Sequence, residues 1–432
     1  MNNIDLVYKK KGFIVNQGLD RIKTLLDLAG NPQDFLKVIH IGGTNGKGSV
    51  SRFIYSVLKE HGLKTGIYTS PHLARFSERI IIDGREIKNS EVREINGFFD
   101  SIIRNNQKIF KKYGYPTFFE ITTAICFKYF FDSNVDVAVI EVGLGGSLDA
   151  TNIIKTPLMS IITNVSIDHR DILGNSLKKI AIDKAGIIKK KSVFITAESR
   201  KDILDIFKEK ADSLGNSFYE ARNVSLFGTR GVYSYRGLKL SLKGIKADSL
   251  AKYQENNLKL ALLSIEVLAQ KYRDSLNFRI NPEKIKKGIA GFRNEGRFER
   301  VKYGGLEVLV DGAHNSAGIK VLLSSLREAF PSRDFIFIFA VMRDKDYRTM
   351  LRRLSVFGGT IIFPGIDNQR QLKNGILKNY AQKTGNFKKI FISENVNRAL
   401  RLAEQNKKNN ELIVICGSLY LAGEFKKLLI KD

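Results

Sequence analysis

Residues 37–50, KVIHIGGTNGKGSV, combine a short apolar run, a glycine-rich turn and the start of an amphipathic segment. The apolar run predicts a buried strand, and the spacing of Val50, Phe53 and Val57 predicts a helix after the turn. Such a strand, turn and helix is typical of phosphate binding, because backbone N–H groups and the helix N-terminus both attract an anion. Lys47 would then reach the outer phosphates and Ser49 the accompanying metal ion. The alternative is a simple glycine-rich connection, because Gly48 interrupts the strict Gly-Lys-Ser/Thr order.

Length and composition favour two domains in a soluble, cytoplasmic protein. The chain has 432 residues, 43% of them hydrophobic, which is enough for two cores. No signal peptide is expected near the N-terminus, and the longest apolar run, residues 335–342, is too short to span a bilayer. Cys126 and Cys416 belong to no Cys-x-x-Cys pair, which argues against disulfides and structural zinc.

The net charge of +27 has two interpretations. A basic protein attracts nucleic acid or anionic small molecules. The lysines are spread along the whole chain, however, and no nucleic-acid-binding module is visible. We therefore favour a compositional bias over nucleic-acid binding.

Two further predicted strands end in candidate metal ligands. The strand at 136–140 ends in Glu141, and an acid at a strand end is how phosphate-loop proteins hold Mg²⁺ on a nucleotide. A solvated carboxylate is the alternative for Glu141 considered by itself. The strand at 158–165 is followed by Asp168 and His169, which makes His169 a candidate ligand, although an isolated histidine is more often structural.

The pattern along the chain predicts an α/β fold with two parallel-sheet domains. Residues 1–292 form a P-loop ATPase-type domain with a small antiparallel sheet near 218–246, residues 293–296 a hinge, and residues 297–432 a Rossmann-like domain. The last domain is predicted from strands that alternate with helices, at 306–310, 335–340, 360–363, 389–392 and 412–415. Residues 311–315, DGAHN, follow its first strand and should face a ligand.

The order of these motifs resembles the folylpolyglutamate synthase and dihydrofolate synthase family, among the Mur-type ATP-dependent amide ligases. The resemblance extends over nearly the whole chain. It rests on the segments GTNGKGS (43–49), SPHL (70–73), EVGLGG (141–146), LDATN (148–152), DH (168–169), KAGI (184–187), GRFE (296–299), DGAHN (311–315), DKD (344–346) and CGS (416–418).

The resemblance implies that ATP phosphorylates a pteroate or folate carboxylate and that the amine of L-glutamate then attacks the acyl phosphate. Thr44, Asn45, Gly46, Lys47, Gly48 and Ser49 would hold the phosphates, with Lys47 stabilising the transferred group. Ser70, Glu141 and His169 would bind Mg²⁺. Lys184 would react with CO₂ to give a carbamate, since a bare ammonium would repel the metal.

The remaining assignments also follow from the resemblance. Asn257 and Arg297 would contact the nucleotide, Asp311 its ribose, and His314 the adenine or the γ-phosphate region. The pterin would lie against Thr117, Phe118, Phe119, Glu120 and Leu148, and core packing is the alternative for the two phenylalanines. Ser147, Arg170 and Ser316 depart from the family pattern and leave the length of the substrate's glutamate tail open.

The resemblance favours a monomer that takes small-molecule substrates and binds neither nucleic acid nor membranes. Two other functions stay open. A cell-wall Mur ligase would need room for a UDP-sugar, usually in an N-terminal domain that the position of the phosphate loop does not allow. A nucleic-acid-dependent P-loop ATPase would agree with the charge and would show salt-sensitive, DNA-stimulated ATP hydrolysis.

Overall fold

The computed structural model describes residues 18–167, 176–229, 231–247, 252–292 and 295–431. His169 and Arg170 lie outside the described residues, as do residues 293 and 294 of the predicted hinge. Within the described ranges, no helix is long and apolar enough to cross a membrane.

The described part of the first half contains one large, mostly parallel sheet. Its strands are β1 (Val38–Gly42), β2 (Thr65–Tyr68), β3 (Ile80–Ile82), β4 (Arg85–Glu86), β5 (Val137–Glu141), β6 (Met159–Ile162), β7 (Val193–Thr196) and β8 (Ser217–Glu220). They are arranged in the order β4-β3-β2-β5-β1-β6-β7-β8, with β3 and β4 antiparallel at one edge. Since β5 and β6 flank β1, the loops after these three strands meet at one edge of the sheet.

Helices cover both faces of this sheet. They are α1 (Asp20–Leu28), α2 (Lys47–Glu60), α3 (Asn89–Asn105), α4 (Gln107–Tyr113), α5 (Phe118–Asp132), α6 (Leu177–Ala185), α7 (Lys201–Ser213), α8 (Lys252–Lys271) and α9 (Pro282–Ala290). Alternate residues of β1 point to opposite faces, so Ile39 packs with α2, α8 and α9 while Val38 packs with α1, α3 and α5. Both faces are thus buried, as is usual where parallel strands form the centre of a sheet.

The small antiparallel sheet lies within the predicted segment, with one correction. It consists of β9 (Ser225–Thr229), β10 (Val232–Arg236) and β11 (Ser241–Lys246), in the order β11-β10-β9. Residues 218–220, which the prediction included in it, instead belong to β8, the parallel edge strand of the large sheet. The apolar packing explains this, because the Phe218 ring stacks on Phe194 of β7 at 5.3 Å between centroids.

The described residues of the second half form a second sheet, of six strands. Its strands are β12 (Glu299–Tyr303), β13 (Leu306–Val310), β14 (Asp334–Phe339), β15 (Thr360–Pro364), β16 (Lys389–Ser393) and β17 (Glu411–Cys416). Its helices are α10 (Ser316–Ala329), α11 (Tyr347–Ser355), α12 (Asn374–Thr384), α13 (Val396–Asn406) and α14 (Leu419–Lys431). The order is β12-β13-β17-β14-β15-β16, parallel except for β12. This architecture confirms the predicted fold class; β12 was not predicted, because its alternating pattern is mostly polar.

Candidate active site

A cavity of about 370 Å³ lies where the carboxyl ends of the two sheets face each other. Most of the predicted site residues line it: Thr44, Asn45, Gly46, Lys47, Gly48, Ser49, Ser70, Thr117, Phe118, Phe119, Glu120, Glu141, Leu148, Lys184, Arg297 and His314. Asn257 and Asp311 are not among its lining residues, and His169 is outside the described part of the chain.

The turn between β1 and α2 requires glycine at two positions. Gly43 and Gly46 have φ angles of +133° and +88°, which L-residues rarely adopt. A Cβ atom would also lie 1.9 Å from Thr163 Oγ1 at Gly43 and 2.3 Å from Asn257 Oδ1 at Gly46. Asn257 therefore touches the phosphate loop from behind, at the start of the α2 helix.

The segment after β6 holds the phosphate loop in place. Thr44 N donates to Asn164 O at 2.8 Å, and Asn45 N donates to Asn164 Oδ1 at 3.1 Å. In return, Asn45 O accepts from Thr163 Oγ1 at 2.7 Å and from Asn164 Nδ2 at 2.8 Å. The loop is thus fixed by the protein itself, and we had not predicted this supporting role for residues 163 and 164.

Two lysine amines converge on the Gly43 carbonyl oxygen. Lys47 Nζ donates to it at 3.2 Å and Lys184 Nζ at 3.1 Å, the latter from the last turn of α6. Lys184 is only 3% exposed. The loop after β5 comes very close to it, because a Cβ atom at Gly146 would lie 2.7 Å from Lys184 Cα. Lys184 is thus enclosed between the phosphate loop and the loop after β5.

Glu141 is a buried carboxylate beside the phosphate loop. Its Oε2 accepts a hydrogen bond from Ser70 N at 3.1 Å, and it faces Gly48, where a Cβ atom would lie 3.4 Å from Oε2. Burial raises the pKa of the Glu141 carboxyl, while Lys47, the Ser70 N–H group and Arg297 act against that rise.

The donor set around Glu141 fits a hard divalent cation. Carboxylate and hydroxyl oxygens are what Mg²⁺ prefers, and a nucleotide would add phosphate oxygens. Among the described residues, no three His, Cys, Asp or Glu side chains form a metal-binding group. Glu141, Ser70 and Ser49 all line the cavity and are the predicted oxygen donors that lie in the described part of the chain.

The start of α5 forms a second part of the wall. Thr117 N donates to Glu120 Oε2 at 2.6 Å, which makes the pair a capping box. The Glu120 carboxylate also forms a buried ion pair with Arg21 of α1, at 3.0 Å between Arg21 NH2 and Oε1. These protein donors show that Glu120 supports the start of α5, and its contact with a pterin stays a prediction.

Aromatic side chains follow Thr117 along this wall. Phe118 lies edge-on to Phe76, with 6.3 Å between centroids, and Phe119 packs so closely on Gly143 that a Cβ atom there would be 2.3 Å from Phe119 Cζ. Leu148 is 46% exposed and projects into the same space. Phe118 and Phe119 are therefore both packed residues and part of the cavity wall, so the two alternatives for them are compatible.

The second half of the chain contributes the wall of the cavity that lies opposite the phosphate loop. The positive charge of Arg297 opposes the rise in pKa that burial causes at the carboxyls of Glu141 and Asp311. Arg297 and His314 both line the cavity. Asp311 accepts from Tyr253 OH at 3.0 Å, Phe298 N at 2.9 Å and Ala313 N at 2.8 Å. Its carboxylate therefore joins α8 to the second sheet.

Sequence reasoning missed three basic residues in the wall: Arg79, Lys345 and Arg370. Lys345 and Arg370 flank Asp344, with N–O distances of 3.3 Å and 3.0 Å. Only the 344–346 motif gave a signal, and it gave no role.

Arg79 differs from the other two because it has no carboxylate partner among the described residues. It is 4% exposed, and its Nε donates to His72 Nδ1 at 2.7 Å. Burial and the charge of Arg79 lower the pKa of His72 to about 3, so this partner is neutral at pH 7. The guanidinium lies 5.6 Å from the centroid of the Phe118 ring. A buried, uncompensated cation of this kind favours an anionic ligand.

Two Mur ligase domains account for both halves of this site. Residues 41–263 match the Mur ligase middle domain, and residues 296–419 match the Mur ligase glutamate ligase domain. The class of protein is therefore that of the ATP-dependent Mur-type ligases.

Relatives over the full length define the family within this class. The chain is 30% identical to the dihydrofolate synthase/folylpolyglutamate synthase of Bacillus subtilis, over 98% of this chain and 97% of that protein. The folylpolyglutamate synthase of Mycobacterium tuberculosis, solved with ADP and AMPPCP, superposes with a TM-score of 0.89 at 28% identity, covering 100% of this chain and 98% of that one. A folylpolyglutamate synthase complex with AMPPCP and folate gives 0.85 at 30% identity, with 100% of both chains covered. The chain belongs to the dihydrofolate synthase/folylpolyglutamate synthase family.

The glycine geometry predicts that Gly46→Ala weakens ATP binding by roughly tenfold or more, since the new methyl group would displace Asn257 from the loop. Titration calorimetry with a non-hydrolysable ATP analogue measures this. Gly62→Ala is the matched control, because Gly62 has a φ of +89° but no atom within 4 Å of its Cβ position. Equal affinity in the two variants would contradict the prediction, because Gly62 follows the far end of α2 and does not belong to the phosphate loop.

Proposed function

We propose that this chain joins L-glutamate to the carboxylate of dihydropteroate or a reduced folate at the cavity between its two sheets. The observation that carries the proposal is the position of the phosphate loop and Glu141 on one wall and the basic residues of the second sheet on the other. A substrate acid and an amine can meet between these walls. The site is one for small molecules, and we expect a cytoplasmic monomer.

The reaction has two steps, which use different walls. A carboxylate oxygen of the acid attacks the γ-phosphorus of ATP, and ADP leaves to give an acyl phosphate. The amine nitrogen of glutamate then attacks the acyl carbon, phosphate leaves, and the nitrogen loses a proton as the amide forms. The N–H groups of residues 47–49 at the start of α2 and the Lys47 ammonium would stabilise the charge of the phosphoryl group in the first step, since the N–H groups of Thr44 and Asn45 are donated to Asn164.

Glu141, Ser70, Ser49 and His169 are the residues that would hold Mg²⁺. When bound, the ion neutralises phosphate charge that would otherwise repel the attacking carboxylate. We expect His314 and Arg297, which line the opposite wall, to contact the nucleotide. Asn257 and Asp311, predicted to contact the nucleotide and its ribose, do not line the cavity, and we assign them to the support of the loops behind it.

We assign the proposed acid and amine substrates to different residues of the cavity wall. A flat pterin or aminobenzoate ring suits the Phe118 side, and Arg79 there provides a cation for a carboxylate of the acid. L-Glutamate brings two carboxylates of its own. Lys345 and Arg370 line the cavity and both contact Asp344, and we assign them to the glutamate carboxylates.

The function is tested by measuring ADP release from the purified protein with ATP, Mg²⁺ and L-glutamate. Each reaction also contains dihydropteroate, tetrahydrofolate or single-stranded DNA. We expect stimulation by dihydropteroate, by tetrahydrofolate, or by both, with amide product detected by mass spectrometry. Stimulation by single-stranded DNA in place of both pterins would contradict the proposal and favour a nucleic-acid-dependent ATPase. Activity with UDP-sugar acids alone would favour a different Mur-type ligase.

Lys184 is the proposed site of a carbamate. Its amine is buried and close to the phosphate loop, where a negative charge would suit a metal ion better than an ammonium. The uncharged amine adds CO₂ at nitrogen, releases a proton and becomes an anionic oxygen ligand.

We expect Lys184→Ala to lower kcat by roughly a hundredfold or more while the fold is kept. Removal of CO₂ and bicarbonate from the buffer should lower the kcat of the unsubstituted protein, and added bicarbonate should restore it. Lys179→Ala, at an exposed lysine of the same helix, is the control and should leave kcat unchanged. A wild-type enzyme whose rate is indifferent to CO₂, with no carbamate by ¹³C NMR, would remove the modification from the mechanism.

Replacement of Arg79 by methionine should raise KM for the pterin acid by roughly tenfold with little change in KM for ATP, because a charged hydrogen-bond donor is lost. Steady-state kinetics with each substrate varied in turn measures this. Arg75→Met is the control, since Arg75 lies in the same loop but is exposed and paired with Glu86. If both variants show the same KM for the acid, Arg79 does not bind it.

A further inference from the structure

The loop between β2 and β3, residues 69–79, reaches from the first sheet to the second. Ser70, Pro71 and Arg79, near its two ends, line the cavity, whereas Leu73 packs against the apolar core beneath α13 and α14. A single short loop thus contacts both the reaction site and the second half of the molecule.

This loop has a fixed shape around Leu73. The Glu78 carboxylate accepts from Leu73 N at 2.7 Å, from Ala74 N at 3.1 Å and from Arg75 N at 2.7 Å. Three donors on one carboxylate make the turn rigid. Leu73 is thus tied to Glu78 and is three residues from Ser70, whose N–H donates to Glu141.

Leu73 fits a socket that contains two glycines, which we call the Leu73 socket and define as Gly296, Ala422 and Gly423. A Cβ atom at Gly423 would lie 2.1 Å from the Leu73 carbonyl oxygen and 3.0 Å from its carbonyl carbon. At Gly296 a Cβ atom would lie 3.0 Å from Leu73 Cδ1 and 3.7 Å from Ala422 Cβ. The contact at Gly423 is made with main-chain atoms, so no change of side-chain rotamer relieves it.

The Leu73 socket lies about one helical turn from the cavity wall that the second half of the chain contributes. Gly423 belongs to α14, and Ser418, Leu419 and Tyr420 at the start of that helix line the cavity. Leu419 in turn packs on Gly312, where a Cβ atom would be 2.2 Å from Leu419 Cδ2. The same helix therefore contacts the loop that carries Ser70 and shapes the wall that carries His314.

We infer that the Leu73 socket sets the separation and alignment of the two walls, so that Gly423 and Leu73 are positioning residues for amide formation. The inference rests on the proposed function. If the two walls are misaligned, the acyl phosphate that forms beside the phosphate loop does not lie next to the glutamate bound at the wall of the second sheet. Water then attacks the acyl phosphate, which returns the free acid and phosphate and spends ATP without making an amide.

The test is Gly423→Ala, assayed for both ADP released and amide formed per turnover. We expect kcat for amide formation to fall roughly tenfold to a hundredfold, and the ratio of ADP to amide to rise clearly above the value of the unsubstituted enzyme. Alanine is the better helix former, so the loss cannot come from a weakened α14. Gly97→Ala in α3, a helical glycine with no atom within 4 Å of its Cβ position, is the control and should match the unsubstituted enzyme.

A second variant, Leu73→Ala, empties the socket without a steric clash and should raise the ADP-to-amide ratio in the same direction. Unchanged coupling and kcat in a folded Gly423→Ala protein, or in Leu73→Ala, would overturn the inference even if the melting temperature fell. An unsubstituted enzyme that forms no amide with either pterin acid would instead contradict the proposed function, so the two failures are distinguishable.

Discussion

The close approach of two backbone segments at the end of β1 is the constraint on which the site depends. No side chain fits at Gly43 or Gly46, and residues 163 and 164 hold the turn between them by hydrogen bonds to the N–H and C=O groups of Asn45. The N–H groups that would bind phosphate are therefore ordered by the fold before a nucleotide arrives. Binding then loses less conformational entropy, and the fixed dipoles need no reorganisation during phosphoryl transfer.

Sheet topology turns this local constraint into a reaction site. Because β5 and β6 both pair with β1, the phosphate loop lies between Glu141 on one side and residues 163–166 on the other. Residues separated by about a hundred positions in sequence thus meet through strand order alone. Lys184 enters from α6 and shares the Gly43 carbonyl with Lys47, which brings a buried amine to the phosphate loop without any sequence proximity.

The sequence was informative where a pattern repeats and uninformative where a contact is made by tertiary packing. Alternating strands and helices predicted both parallel sheets, and the glycine turn predicted the phosphate loop. The edge strand β12 was missed because its residues are mostly polar. The strand β8 was assigned to the wrong sheet because the stacking of Phe218 on Phe194, which holds it beside β7, is a tertiary contact that the sequence does not show. Arg79 gave no signal at all, since its importance arises only from burial beside a neutral His72 and the face of Phe118.

The division of labour between the walls explains why loops rather than strands define the chemistry. The strands bring the phosphate loop and Glu141 together, whereas the side chains to which we assign the acid and the amine, Phe118, Arg79 and Lys345, lie in or beside the connecting segments that line the cavity. An acyl phosphate is consumed by water unless the amine is already in place, so the loops must be aligned with each other as well as with their own sheets. In this chain the loop of residues 69–79 does both, because its ends contact the reaction site and its middle contacts α14. The geometry between the two sheets is then as much a part of the active site as the residues that touch substrate.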